Sequence, residues 1–556
     1  MPGFITCPEL PRTVPPRARA TRALALPLVV ALAACGGGGH GSPSPPPPPV
    51  NSGTDVVTYK NDVARTGANL TETVLTLANV NQSTFAKLRF LATDGKVDAQ
   101  PLYLSALMVG GTAHDVVFVA TENDSVYAFD SDTGAVLWQK TLLGPGEQPS
   151  DDRGCSQVAP MIGVTSTPVI DRSAGAHGVI YVVAMSLDAS LNYHQRLHAL
   201  DVTTGAEQFA GPVEIAAIFP ASGGGFNTFA PVDYAERAAL LLLNGAVYTT
   251  WTSHCDDAPY TGWVIAYDSG TLAQTGVLNL AANSPGHGPS IWMAGGGPAA
   301  DSAGTIYLLT ANGVFDTTLD ANGFPNQGDY GNSFVKIATT GGALTVTDYF
   351  TMYNEVAESS NDTDLGSGGI MLLPDVADSG GTTRHLAVGA GKDTNLYVVN
   401  RDAMGKFNPS NNAQIWQELP GALHGGIWAT PAYFNGTVYY GAFGGALLAF
   451  KVTNAMLVSP PSSRSPAGFP YPGTAPAISA NGSANGIVWA YENATSGAAV
   501  LHAYDASNLG HELYNSTQAA GSRDSIGAGN KFITPTIADG RVFVSTVNGV
   551  AVFGLL

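Results

Sequence analysis

Cysteine and charge are what this sequence has least of. Its 556 residues hold four cysteines, Cys7, Cys35, Cys155 and Cys255, too few and too dispersed for a disulfide framework or a zinc site. No Cys-x-x-Cys-His occurs, which excludes a c-type haem. Only 12% of side chains are charged, and 24 Lys+Arg against 43 Asp+Glu give a formal net charge of -19. With no basic cluster after the N-terminal segment, nucleic acid and anionic membrane surfaces are excluded as partners of the main domain. The eleven histidines are scattered rather than spaced as metal ligands, and neither a P-loop nor a hydrolase triad is visible. Helical heptads are absent, as is any long linker after residue 55. What the chain does have is 66 glycines, 36 prolines and many short β-rich runs, the composition of one large all-β repeat domain.

The N-terminal residues read as an address. Arg12, Arg17, Arg19 and Arg22 precede the apolar stretch Ala23 to Leu32, which ends in Leu32-Ala33-Ala34-Cys35. This resembles the lipobox of bacterial lipoproteins, so residues 1–34 are expected to be a signal peptide and Cys35 the lipidated N-terminus. Residues 35–55, rich in glycine and then proline, form a flexible-then-stiff tether. Gly36 after the cysteine resembles the pattern sorted to the outer membrane, with the domain facing the periplasm or the cell surface.

Residues 56–556 repeat. The phrase Val126-Tyr127-Ala128-Phe129-Asp130, followed by Thr133-Gly134 and Trp138, is strand, turn, strand. Related phrases end at Asp201, Asp268, Ile337, Asn400, Lys451, Asp505 and Gly554, spaced by 71, 67, 69, 63, 51, 54 and 49 residues. Each follows another β-rich run, such as Val116 to Ala120 or Val179 to Val183. About four strands per unit cannot bury both faces alone, so the units must stack, and radial stacking gives an eight-bladed β-propeller. A seven-bladed ring and a tandem of β-sandwiches are the alternatives; the even spacing disfavours the tandem. Because the chain ends inside the eighth unit, Lys87 to Leu91 are expected to pair with the last strand and close the ring.

The phrases Tyr59-Lys60-Asn61-Asp62 with Arg65-Thr66-Gly67, Ala128-Phe129-Asp130 with Thr133-Gly134 and Trp138, and Leu396 to Arg401 resemble the repeats of the pyrroloquinoline quinone (PQQ) propeller superfamily, the fold of quinoprotein alcohol dehydrogenases. The resemblance spans most of residues 56–556. It implies calcium and PQQ on the propeller axis and a dehydrogenase acting on an alcohol or sugar-like hydroxyl. Asp364 then matches the catalytic base, Trp292 the indole under the quinone, and Lys392 the cation against its oxygens. Asn312 matches a calcium ligand, as does either Asp256 or Asp257, with Asp364 completing the set. Each has a plainer reading: Asn, Asp and Gly suit surface turns, Lys392 can be an exposed lysine and Trp292 a core aromatic.

The departures from the family are definite. In place of two adjacent cysteines there is only Cys155 in Gly154-Cys155-Ser156-Gln157, and Pro160 stands where an arginine would follow. Lys392, with Arg153, would have to neutralise most of the PQQ tricarboxylate. Without haem, an external electron acceptor is required. With Cys35 lipidated in an oxidising compartment, Cys155 and Cys255 are expected to pair. The same repeat also builds non-enzymatic lipoproteins of outer-membrane assembly, so a binding or scaffold propeller is the competing expectation.

Overall fold

The structure, a computed structural model, describes residues 55–283, 288–494 and 497–556. The proposed signal peptide, the lipidation site Cys35 and nearly all of the tether lie outside them.

Eight antiparallel sheets of about four strands each are the blades. Blade 1 comprises Leu102–Val109, Thr112–Ala120, Ser125–Asp130 and Val136–Thr141. Blades 2 to 7 follow in chain order, their third strands being Tyr193–Asp201, Trp263–Asp268, Ser333–Ala338, Leu396–Asn400, Ala446–Thr453 and Val500–Asp505. Blade 8 takes Thr536–Ala538, Arg541–Thr546 and Gly549–Leu555 from the C-terminal region and Phe85–Ala92 from the N-terminal one. Phe85 faces Leu555 and Leu91 faces Val550, so the ring closes as the sequence predicts.

The repeated phrases have a structural cause. Asp130 turns the chain by accepting the Thr133 N–H and hydroxyl, both at 2.7 Å, and Gly134 follows at φ +78°. Trp138 then reaches the next blade, donating its indole N–H to the Val202 carbonyl at 2.9 Å. There it lies so close to Gly205 that a Cβ would come within 2.7 Å of the ring. Hydrophobic clusters form between blades rather than within them: Leu102, Val116 and Phe118 of blade 1 pack with Ile180 and Val182 of blade 2, and Trp489 and Leu501 of blade 7 pack with Val542 and Phe553 of blade 8. This is why no blade is stable alone.

One end of the axis is threaded by residues 56–69. Val56 pairs with Tyr103 of blade 1, and the Val57 carbonyl accepts the Ile170 N–H of blade 2 at 2.8 Å. Arg65 donates to the Leu240 carbonyl at the start of blade 3. Carbonyls of Val63, Ala64, Thr66 and Gly67 accept N–H groups of Ala300, Leu372, Tyr433 and Ile478 in blades 4, 5, 6 and 7. Finally the Asn69 amide donates to the Ile537 carbonyl of blade 8. The thread thus satisfies at least one backbone group on or beside the inner strand of every blade, and its Tyr59, Lys60 and Arg65 are buried.

Candidate functional site

The candidate residues stand on loops that interrupt blades 3, 4 and 5. Asp256 lies between Ala246–Ser253 and Trp263–Asp268, Asn312 between Ile306–Leu309 and Ser333–Ala338, and Lys392 between Leu386–Gly389 and Leu396–Asn400. Asp364 precedes the short 3-10 turn Leu365–Ser367 on the crossing from blade 4 to blade 5. Two glycines permit this crowding. A Cβ at Gly366 would meet the Ala311 N–H nitrogen at 2.5 Å, and one at Gly391 would meet the Asp364 carbonyl at 2.1 Å. Only bare backbone lets the Asp364 loop sit between the other two.

All these loops border one cavity of about 270 Å³, whose lining includes Cys155, Arg237, Asp256, Trp292, Asn312 and Asp364, with Lys392 and Cys255 beside them. Asp364 is 3% exposed. Its Oδ1 accepts the Asn312 backbone N–H at 2.7 Å, and its Oδ2 meets Lys392 Nζ at 2.5 Å. Lys392 also holds Asp362 Oδ1 at 2.8 Å, and the Asn312 side-chain amide donates to that same oxygen at 3.2 Å. The ammonium lies 5.4 Å from the centroid of the Trp292 ring. Burial raises the Asp364 carboxyl to about 6, with Lys392 pulling the other way. Lys392 is less buried; desolvation works against its charge, but Asp364 and Asp362 outweigh it and hold the ammonium above its usual range. A carboxyl poised near 6 and held by directed donors suits a general base.

Left-handed non-glycine residues occur throughout the ring, and several stand at or next to this cavity. Cys255, Asp256, Met293, Ala294 and Asp362 all have φ between 41° and 57°. Non-glycine residues in this region cost energy that a rigid frame must offset, and they concentrate at functional sites. Cys155 and Cys255 form a disulfide, Cα to Cα 5.7 Å, tying the arm Gln148 to Ile162 of blade 2 to the Asp256 loop. Beyond Asp256 and Asn312 a second, more open cavity of about 440 Å³ is walled by Val314, Phe315, Val356 and Tyr260.

The site residues expected from sequence divide as follows. Asp256, Trp292, Asn312, Asp364 and Lys392 line the cavity together with both cysteines. Asp257 does not; it is exposed on the neighbouring turn, which leaves Asp256 as the blade 3 carboxylate at the site. Arg153 does not either: its guanidinium donates to the Val232 carbonyl and lies over Tyr193. For calcium, the fit is incomplete. Among the described residues no group of three or more His, Cys, Asp or Glu is placed to hold a metal ion. Asp364, the central member of the expected ligand set, is already paired with Lys392. For a planar polyanion the fit is better, with an indole, a lysine and a buried arginine around one cavity.

That arginine, Arg237, is missing from the reading of the sequence. Its signal is the charged pair Glu236-Arg237, buried in the short link between Tyr234–Ala235 and Leu241–Leu243 at the head of an apolar run, where local structure has no use for charge. Asp362 stood in a phrase already singled out, but only the fold shows that it shares Lys392 with Asp364.

A family profile described as "Outer membrane protein assembly factor BamB" matches residues 63–210. No curated protein matches the chain. Among solved structures, the quinohaemoprotein alcohol dehydrogenase of Comamonas testosteroni aligns at TM-score 0.58 and 15% identity, over 90% of this chain and 80% of that one. Quinohaemoprotein alcohol dehydrogenase ADHIIG of Pseudomonas putida HK5 aligns at TM-score 0.56 and 15% identity, over 91% and 80%. Eight blades, ring closure and these alignments together give the chain the eight-bladed β-propeller fold seen in the quinohaemoprotein alcohol dehydrogenases.

Proposed function

We propose that the protein is an exported quinoprotein-like dehydrogenase that oxidises an alcohol or sugar-like hydroxyl, with PQQ and calcium as its cofactors. The single observation behind this reading is the buried Asp364, held by the Asn312 N–H and Lys392 beside the Trp292 ring in one cavity. When bound, PQQ supplies a two-electron acceptor for hydride and calcium a Lewis acid for its carbonyl. Trp292 offers the aromatic face and Lys392 the cation that such a cofactor needs. Asp256 and the Asn312 amide oxygen are the candidates to join Asp364 on calcium, with ligand or water oxygens making up the six or more that the ion requires.

The chain's own contribution to the chemistry is proton handling. Asp364 takes the substrate hydroxyl proton on a carboxylate oxygen, which requires it to be ionised. The Asn312 N–H fixes the orientation of the carboxylate, and Lys392 stabilises its charge until substrate arrives. The apolar walls of the outer cavity, Val314, Phe315 and Val356, suit a substrate with a hydrocarbon part next to its hydroxyl. Electrons then leave to an external acceptor. The disulfide supports an oxidising compartment, in keeping with a lipid anchor at Cys35 in the outer membrane.

A binding or scaffold propeller is the second reading, favoured by the match of residues 63–210 to the BamB profile. Purified protein incubated with calcium and PQQ separates the two. Quinone absorbance retained through gel filtration, with reduction of an artificial dye on adding primary alcohols, is the expected result. No retained absorbance at saturating PQQ would leave the scaffold.

A further inference from the structure

Cations and anions are unevenly distributed around the cavity. On the side of blades 4 and 5, Lys392 is matched by Asp362 and Asp364. On the side of blade 3, Arg237 has no such match. It is 5% exposed, its Nε has no acceptor, and among the described residues it forms no ion pair. Its guanidinium carbon lies 4.8 Å from the centroid of the Phe532 ring, and one side of the group borders the cavity.

The carboxylates that act on Arg237 through space are Asp98 and Glu122. Each has other partners, although Glu122 Oε1, like Glu236 Oε1, accepts no hydrogen bond. Asp98 pairs with Lys96 at 3.0 Å and accepts the Asn530 amide at 2.6 Å. Glu122 accepts the Gly163 N–H at 2.8 Å and the Thr165 hydroxyl at 3.0 Å; burial and then the charge of Asp98 push its carboxyl well above the usual range, favouring the neutral form. Glu236, the chain neighbour of Arg237, meets the Ser166 hydroxyl at 3.4 Å, and burial pushes it up as well. Lys531 adds a further cation nearby, donating to Gln157 of the cavity lining at 3.1 Å. This wall is therefore positive, and a buried guanidinium without a counter-ion costs stability in the empty protein. Its planar fork of donors matches a carboxylate.

We infer that Arg237 is a carboxylate clamp, holding one carboxylate of a planar anionic ligand in this cavity. The identity of the ligand rests on the PQQ reading above; its negative charge and planarity rest on Arg237, Lys531 and Trp292.

The test compares wild type with Arg237→Met and Arg237→Lys, reading tryptophan-fluorescence titrations and the melting temperature of the ligand-free protein. Two probes are used: PQQ with calcium, and benzene-1,2,4-tricarboxylate. Arg237→Met is expected to weaken binding by about 10-fold or more, the loss of a charge-assisted pair, while raising the melting temperature of the empty protein. Arg237→Lys keeps the charge without the fork and falls between. Wild-type PQQ affinity in both variants would overturn the clamp and leave the PQQ reading standing. Binding of the benzene tricarboxylate but not PQQ by wild type, lost in Arg237→Met, would overturn the PQQ reading and leave the clamp. Failure of both probes to bind wild type would overturn both. A lower melting temperature in Arg237→Met with unchanged affinity would assign the residue a packing role alone.

Discussion

If Asp364 is the base proposed above, its burial sets its charge state, and that charge state should govern the pH profile. With its carboxyl raised to about 6 by desolvation, activity of the reconstituted enzyme should fall as pH drops through that value, where the base becomes protonated. Asp364→Asn cannot accept the proton and should lose about 10²- to 10⁴-fold in dye-reduction rate, with the fold intact by circular dichroism. The same shift has a stability consequence. The unfolded carboxyl ionises near 3.8 and the folded one near 6, so the folded state binds more protons between these values and loses stability as pH rises through them. Melting temperatures taken from pH 4 to 7 should therefore decline more steeply in wild type than in Asp364→Asn. Parallel curves would show that Asp364 is not held this way.

Two elements keep the site in place, the disulfide arm and the axial thread. The disulfide between Cys155 and Cys255 spans 100 residues and joins blade 2 to the loop that carries Asp256. Its removal in the double serine variant should cost about 2–5 kcal/mol in chemical denaturation. In the thread, Arg65 donates to the carbonyls of Pro298, Tyr59 and Leu240 and to the Thr58 hydroxyl. Arg65→Ala strands those buried acceptors, each worth about 1–3 kcal/mol when unsatisfied, so a loss of at least ~3 kcal/mol in unfolding free energy is expected. A loss below ~1 kcal/mol would mean that the thread is not integral to the ring.

For the molecule as a whole, closure matters more than any one blade. Blade 8 is completed by Phe85–Ala92 pairing against Gly549–Leu555, so ends of the chain far apart in sequence become neighbours. Deleting Val550 to Leu556 removes the strand between Arg541–Thr546 and Phe85–Ala92 and leaves two unpaired edges. Such edges recruit other chains, and the truncated protein should elute as aggregates in size-exclusion chromatography. A monomeric, cooperatively melting product would contradict the closure seen here.

The sequence by itself determined the propeller. Asp130-x-x-Thr133-Gly134 with Trp138 is a local device, a side-chain-bonded turn followed by an indole that clasps the next blade, and Asp201-x-x-Thr204-Gly205 repeats its turn; the spacing of the β-rich phrases that end at Asp130, Asp201 and their counterparts counts the blades without any knowledge of their arrangement. Asp364, Lys392, Asn312 and Trp292 are nameable only through the resemblance to the quinoprotein repeats, whose site residues stand beside such strands. Tertiary structure alone decided the rest. It placed Asp256 rather than Asp257 at the cavity, because a one-residue choice within a turn depends on which way the backbone leaves the strand, at φ 57° for Asp256. It turned Arg153 toward Val232 and brought in Arg237 from the link between Tyr234–Ala235 and Leu241–Leu243, whose sequence shows only an isolated charged pair. It also made the Tyr59 to Gly67 phrase, legible as a repeat signature, into a thread bonded around the axis. Periodicity records what a residue does for its own blade; which residues from different blades face each other is set by ring closure, which no local pattern encodes.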